Sequence, residues 1–254
     1  MSDDKEEERK KQNEQAAASA AADPGANDAA PVDKEVNVIR NPELEEPAEL
    51  AVWHRLGEDY KLEPEQTVLH YQCARIKKVE NLDMCPKLKK FVLIANGVER
   101  MENFEPVPEL EHLEIYQNMV TKVRNISHLH KLKVLDLSFN EIRKVENIDA
   151  ENNPLLEKLY LTSNKIKTMD GLKGTFKNMD MLEFGANRIR EITGVEGVPN
   201  LRELYLGKNK IVSMGLPCPL MKLQKMSLQS CRLDSWDISL FEDAPCLSHL
   251  YLGH

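Results

Sequence analysis

Between Leu132 and Met214 the chain repeats itself four times, as LKVLDLSFNEIRKV, LEKLYLTSNKIKTM, MDMLEFGANRIREI and LRELYLGKNKIVSM. The template L-x-x-L-x-L-x-x-N-x-I-x-x-I fits every copy, with Met, Val or Phe standing in for Leu or Ile at a few places. With the Asn position as a register mark, the series extends in both directions: Ala74, Asn96, Asn118, Asn140, Asn164, Asn187, Asn209 and Cys231, at intervals of 22, 22, 22, 24, 23, 22 and 22 residues. A ninth unit opens at Leu247, Leu250 and Leu252, close to the last residue, His254. One such unit has too little apolar surface to fold alone, so a chain with this period folds as a stack of units sharing one continuous core.

The template has a physical cause. Alternate side chains of a strand face opposite sides, so the apolar pair in L-x-L points inward and the residue between them points out. Residues such as Ile142, Val145 and Ile148 close the core from the return half. The Asn stands where the chain leaves the strand, and its amide can satisfy backbone groups that the turn leaves unpaired. This is the pattern of a leucine-rich repeat, an α/β solenoid with a parallel, concave β-sheet and 3₁₀ turns, short helical pieces or loops on the convex side. Cys serves at the Asn position in such repeats, whereas Ala74 marks a degenerate terminal unit. Strands are predicted near 90–94, 112–116, 134–138, 158–162, 181–185, 203–207, 225–229 and 249–252. The longer units place Ala150–Pro154 and Gly171–Lys177 in return loops, and Pro217 and Pro219 imply an extended return after Met214.

The array begins at about residue 67. Residues 1–46 carry 13 acidic and 6 basic side chains, so they hold −7 of the net charge of −8, and they include an Ala-rich run with almost no large apolar residue. Such a stretch cannot offset its ordering entropy, and a disordered acidic tail is predicted. Residues 47–66 are predicted to form an N-terminal cap. Within it, PAELAVWHRLG has Pro at a helix start and Gly at a helix end, and Leu50, Val52, Trp53 and Leu56 are placed over the first repeat. Residues 67–254 form about nine repeats, the last incomplete.

Composition narrows the function. Residues 47–254 are close to electrically neutral and have no basic stripe, which argues against a nucleic-acid binder. No uncharged run exceeds 11 residues, too short to span a bilayer, and the charged start MSDDKEEERKK is unlike a secretory leader. The five cysteines show no C-x-x-C pair and read as reduced thiols. There is no phosphate-binding Gly loop, no G-x-S-x-G and no H-E-x-x-H, so no catalytic residue, metal or cofactor is assigned and the chain reads as a non-enzyme. His128 and His130 fall in a return without a ligand set around them and read as surface or hydrogen-bonded residues.

What the repeats do provide is an outward row: His70, Val92, Glu114, Asp136, Tyr160, Glu183, Tyr205, Ser227 and Tyr251. Nine strands at about 4.8 Å span roughly 40 Å, enough to cradle a globular partner. Glu114, Asp136, Tyr160, Glu183, Tyr205 and Tyr251 are the predicted partner-binding residues, because tyrosine combines large contact area with a hydroxyl and concentrates where binding energy does. Tyr116, Phe139, Lys158, Thr162, Glu203 and His249 would extend the patch.

The wording of consecutive units, LDLSFNEIRKVEN, LTSNKIKTMDGL, LEFGANRIREI, LYLGKNKI and LYLGH, resembles the leucine-rich-repeat regulatory subunit of protein phosphatase 1 from about Leu69 to His254. The resemblance implies a monomeric regulator of the nucleus and cytoplasm. It would bind the phosphatase catalytic subunit on the concave face and modulate its activity, with Asp136, Tyr160, Glu183 and Tyr205 in contact. Tyr160 and Tyr205 stand where that family usually has Phe. The short phosphatase-docking motif is missing, since no Phe or Trp has Val or Ile two positions before it. Family members continue for several further units and a C-terminal cap, so the chain reads as a C-terminally shortened form. Repeats of this length also serve axonemal, cytoskeletal and spliceosomal adaptors, which are the alternative reading.

Overall fold

The computed structural model describes residues 39–40, 52–234 and 238–253. Ten strands form one parallel sheet: β1 (Ile39–Arg40), β2 (Val68–Gln72), β3 (Lys90–Ile94), β4 (His112–Glu114), β5 (Val134–Asp136), β7 (Lys158–Tyr160), β9 (Met181–Glu183), β10 (Glu203–Tyr205), β11 (Lys225–Ser227) and β12 (His249–Tyr251), hydrogen-bonded in that order. Two further strands, β6 (Ile148–Asp149) and β8 (Leu172–Lys173), pair with each other in the returns of the two longer units. The result is a leucine-rich-repeat solenoid of about eight turns, mostly strand and turn with little helix.

The register follows the template. Leu113, Leu135, Leu159, Leu182, Leu204 and Met226 lie opposite one another along the sheet and are all fully buried. The second apolar residue of each pair, from Ile115 through Leu137, Leu161, Phe184 and Leu206, is likewise removed from solvent, and Ile142, Val145 and Ile148 join the same cluster from the return side. Each predicted strand begins at the expected residue, but all of them except β3 end after three. The chain then bends toward the Asn turn while its backbone bonds continue from unit to unit, as in Ile115 N–H to Asp136 O (2.8 Å) and Gln117 N–H to Ser138 O (2.9 Å).

That turn is built the same way each time. The residue before the register position (Cys73, Ala95, Gln117, Phe139, Ser163, Ala186, Lys208, Ser230) has φ between 51° and 57°, a left-handed bend that exposes backbone groups needing partners. The asparagines supply them. Asn140 Oδ1 accepts from Val120 N–H (2.9 Å), and its Nδ2 donates to Ile115 O (2.7 Å) in the preceding unit and to Leu137 O (3.0 Å) in its own. Asn96, Asn118, Asn164, Asn187 and Asn209 repeat the arrangement. Cys231 substitutes weaker sulfur contacts, with Sγ 3.4 Å from Leu206 O and the backbone of Asn209 and Ile211 hydrogen-bonded to the thiol.

A second ladder runs through the returns. Asn81, Asn103, Asn125 and Asn147 sit at φ 57° to 62° and donate Nδ2 to the carbonyls of Leu56, Val79, Met101 and Val123, each one unit back. Gly171 and Gly194 hold the next two places, where a side chain has no room: a Cβ on Gly171 would fall 1.8 Å from Val145 O.

Two expectations need correction. Residues 52–57 are not helical. His54 bridges Ile76, its N–H bonds Arg75 O (2.9 Å), and Leu56 is fully buried, so the segment acts as one more partial turn of the stack. The unpaired backbone edge of the first repeat is satisfied by extended chain, which a helix could not do. Val52 and Trp53 are exposed rather than capping, with the Trp53 ring lying over Gly97 and 5.6 Å from Lys77 Nζ. Within the tail predicted to lack structure, Ile39–Arg40 pair with Tyr71 and Gln72 for the same reason, while the rest of 1–46 and Leu50 lie outside the described residues. The returns are as expected: helix among the described residues amounts to a 3₁₀ turn at Leu82–Met84 and one α-helical turn at Leu240–Asp243, the remainder being bends and loops.

Candidate partner-binding face

The parallel register brings the six predicted residues onto one line. Glu114 lies opposite Asp136, Asp136 opposite Tyr160, Tyr160 opposite Glu183 and Glu183 opposite Tyr205; Ser227 then separates Tyr205 from Tyr251. From β4 to β12 the line crosses six strand spacings, roughly 29 Å at about 4.8 Å each. Glu114, Asp136, Tyr160, Glu183 and Tyr205 are half-buried, whereas Tyr251 on the last strand is more open, at 40%. Val92 and Ser227 share the line but are buried, so they contribute floor rather than relief.

Two flanking lines complete the surface. Lys158, Glu203 and His249 are the first residues of their strands and run beside the central row, together with Lys90, His112, Val134, Met181 and Lys225. Tyr116 and Thr162 lie two residues past it on the other side, and the Phe139 ring packs on Tyr116 with centroids 4.9 Å apart. Side chains tie these lines to the centre. Thr162 Oγ1 donates to Glu183 Oε1 (2.8 Å), Tyr205 Oη donates to Glu203 Oε2 (2.9 Å), Lys225 Nζ reaches Glu203 Oε1 (2.9 Å), and His112 Nε2 lies 3.3 Å from Glu114 Oε2.

The electrostatics follow from this crowding. Burial pushes the Asp136 carboxyl up to about 7, against hydrogen bonding by Ser138, and the neighbouring Glu114 and Glu183 charges push the same way. Burial, with Glu183 and Asp136 close by, raises the Tyr160 phenol to about 12, and burial with the Glu203 bond raises that of Tyr205. Both phenols therefore meet a partner as neutral donors throughout the physiological range. The face as a whole offers carboxylates and aromatic rings alternating along one row.

Several contributors were not singled out from the sequence. His112 and Lys225 orient acidic groups, and their signal was their place as first residue of a strand. Gly185 and Gly207, two residues past Glu183 and Tyr205, leave bare backbone beside the row. A Cβ there would meet ordinary or slightly tight contacts, 3.5 Å to Gly207 O and 3.2 Å to Gln229 O, so neither fold nor φ demands glycine. Away from this face, His130 Nδ1 lies 2.8 Å from Asn152 O, and among the described residues no group of three or more His, Cys, Asp or Glu is placed to hold a metal.

Known proteins resemble the chain at two levels. A family model described as a leucine-rich repeat matches residues 108–166. A protein of Arabidopsis thaliana, the protein phosphatase 1 regulatory inhibitor subunit PPP1R7 homolog, is 35% identical over 72 residues, 28% of this chain; the match spans 21% of that relative's length. Among solved structures, internalin C2 from Listeria monocytogenes aligns with a TM-score of 0.64 at 22% identity, over 73% of this chain and 80% of that one. Internalin InlF from the same organism aligns at 0.53 and 20%, over 73% and 62%. At these identities the structural likeness speaks to the fold.

Proposed function

We propose that the chain is a non-catalytic regulatory subunit that binds the catalytic subunit of protein phosphatase 1 on its concave sheet face and modulates its activity. The observation that carries this reading is the row Asp136, Tyr160, Glu183 and Tyr205, on four adjacent strands in strict register. A row some 15 Å long at about 4.8 Å a strand matches a patch on a folded protein better than a small-molecule site. Concave solenoid surfaces are commonly used in this way. The sequence similarity to a phosphatase 1 regulatory subunit homolog supports the choice of partner. On this reading the protein is monomeric outside the complex, uses neither nucleic acid nor membrane as a partner, and works in the nucleus and cytoplasm.

Affinity capture from cell extract tests it. Wild-type protein should recover the phosphatase 1 catalytic subunit, and a Tyr160→Ala/Glu183→Ala/Tyr205→Ala variant should lose most of that recovery. Equal recovery by both would remove the face from the account, and capture of tubulin-like or ribonucleoprotein components instead would favour the adaptor readings.

A further inference from the structure

We infer that docking on this face is coupled to the release of a proton from Asp136 to solvent, so that the surface grips its partner more tightly as pH rises from mildly acid to mildly alkaline. The inference rests on the reading above and adds a form of regulation to the same site.

The geometry around Asp136 sets up the coupling. The residue is the middle of three carboxylates, Glu114 on β4 and Glu183 on β9 lying one and two strands away in register. Its Oδ1 accepts from Ser138 N–H (2.8 Å), a neutral donor of its own turn, and no Lys or Arg nitrogen lies within 4 Å of its carboxyl group among the described residues. The groups that face it from β4 are His112, whose Nε2 lies against Glu114, and Tyr116, whose ring packs on Phe139. From β7 they are Lys158 and Tyr160, the first on the flanking line and the second directly opposite. From β9 comes Glu183, held by the Thr162 hydroxyl. A carboxyl in such company holds its proton far above the ordinary 3.8, to about 7.

A partner that brings a cationic side chain to this row supplies what the chain itself does not. The Asp136 O–H bond breaks, the proton leaves to water, and the carboxylate pairs with the incoming charge. Only the ionised fraction of the free protein is ready to bind, and apparent affinity scales with that fraction. With a midpoint near 7 the ionised fraction falls about tenfold from pH 8 to pH 6. An aspartate at the usual value would stay ionised across the whole interval.

Two measurements on the full chain test the coupling. In a carbon-13 titration of carboxyl-labelled aspartate, with Asp136 assigned by its loss in Asp136→Asn, the Asp136 signal should move with a midpoint near pH 7. Titration with the other aspartates near pH 4 would overturn the inference. In binding to purified phosphatase 1 catalytic subunit at pH 6, 7 and 8, the wild-type Kd should weaken about tenfold toward pH 6, while Asp136→Asn should bind weakly with a flat profile. A wild-type slope that persists in Asp136→Asn would overturn it as well. Binding absent at every pH would instead remove the partner itself and the coupling with it, an outcome distinct from binding that is present and flat.

Discussion

At the scale of single residues, the solenoid is held in register by side chains that do the work of backbone. Asn140 is the clearest case: it is almost fully buried and serves one N–H and at least two carbonyls in two successive units. Asn140→Ala leaves those groups buried and unpaired, and unfolding in urea should show a loss of about 2–4 kcal/mol. Cys231→Ala gives up only weak sulfur hydrogen bonds at the same position and should cost less than Asn140→Ala, about 1 kcal/mol. The register asparagines were legible in the sequence because one letter recurs at a fixed interval. The second set was not, since the letter changes from Asn to Gly after Asn147 and no single residue type marks the place. The elevated proton affinity of Asp136 was hidden for a different reason. It depends on how deeply the residue sinks between strands that are distant in sequence, and alternation tells only which way it points.

At the scale of elements, every strand start of the ten-stranded sheet from Lys90 onward could be read from the L-x-x-L-x-L spacing, because inward and outward alternation leaves no freedom in register; the return strands β6 and β8 could not. What spacing does not reveal is where the ladder stops counting as strand, since β3 runs five residues and β4 three ahead of the same left-handed turn position. The N-terminal segment was misread because Pro47 and Gly57 carry local helix signals, whereas the open edge of the first repeat is a tertiary demand that outweighs them. The returns carry their own constraint at Gly171, where the Val145 carbonyl occupies the space a side chain would need. Gly171→Ala should therefore lower the stability of the array by at least about 2 kcal/mol, followed by thermal or denaturant unfolding, although it lies in a loop far from the proposed face. A neutral result would mean that the return can shift to admit a methyl group and that its path is less fixed than the ladder suggests.

For the molecule as a whole, stacking converts a one-dimensional pattern into a surface. Residues 22 to 24 apart in sequence become neighbours about 4.8 Å apart, and a row that looks scattered on paper becomes a continuous edge of acids and tyrosines. The architecture and the line were legible from the repeat, whereas the side-chain ties across it, such as Tyr205 to Glu203 to Lys225, required the fold. The central claim is that a folded partner covers this row, and hydroxyl-radical footprinting of the full chain with and without phosphatase 1 catalytic subunit tests it most directly. Tyr116, Tyr160 and Tyr205 should lose reactivity in the complex while Met84 and Met221, exposed in the returns, keep theirs. Protection of the two methionines with the tyrosines unchanged would contradict the account.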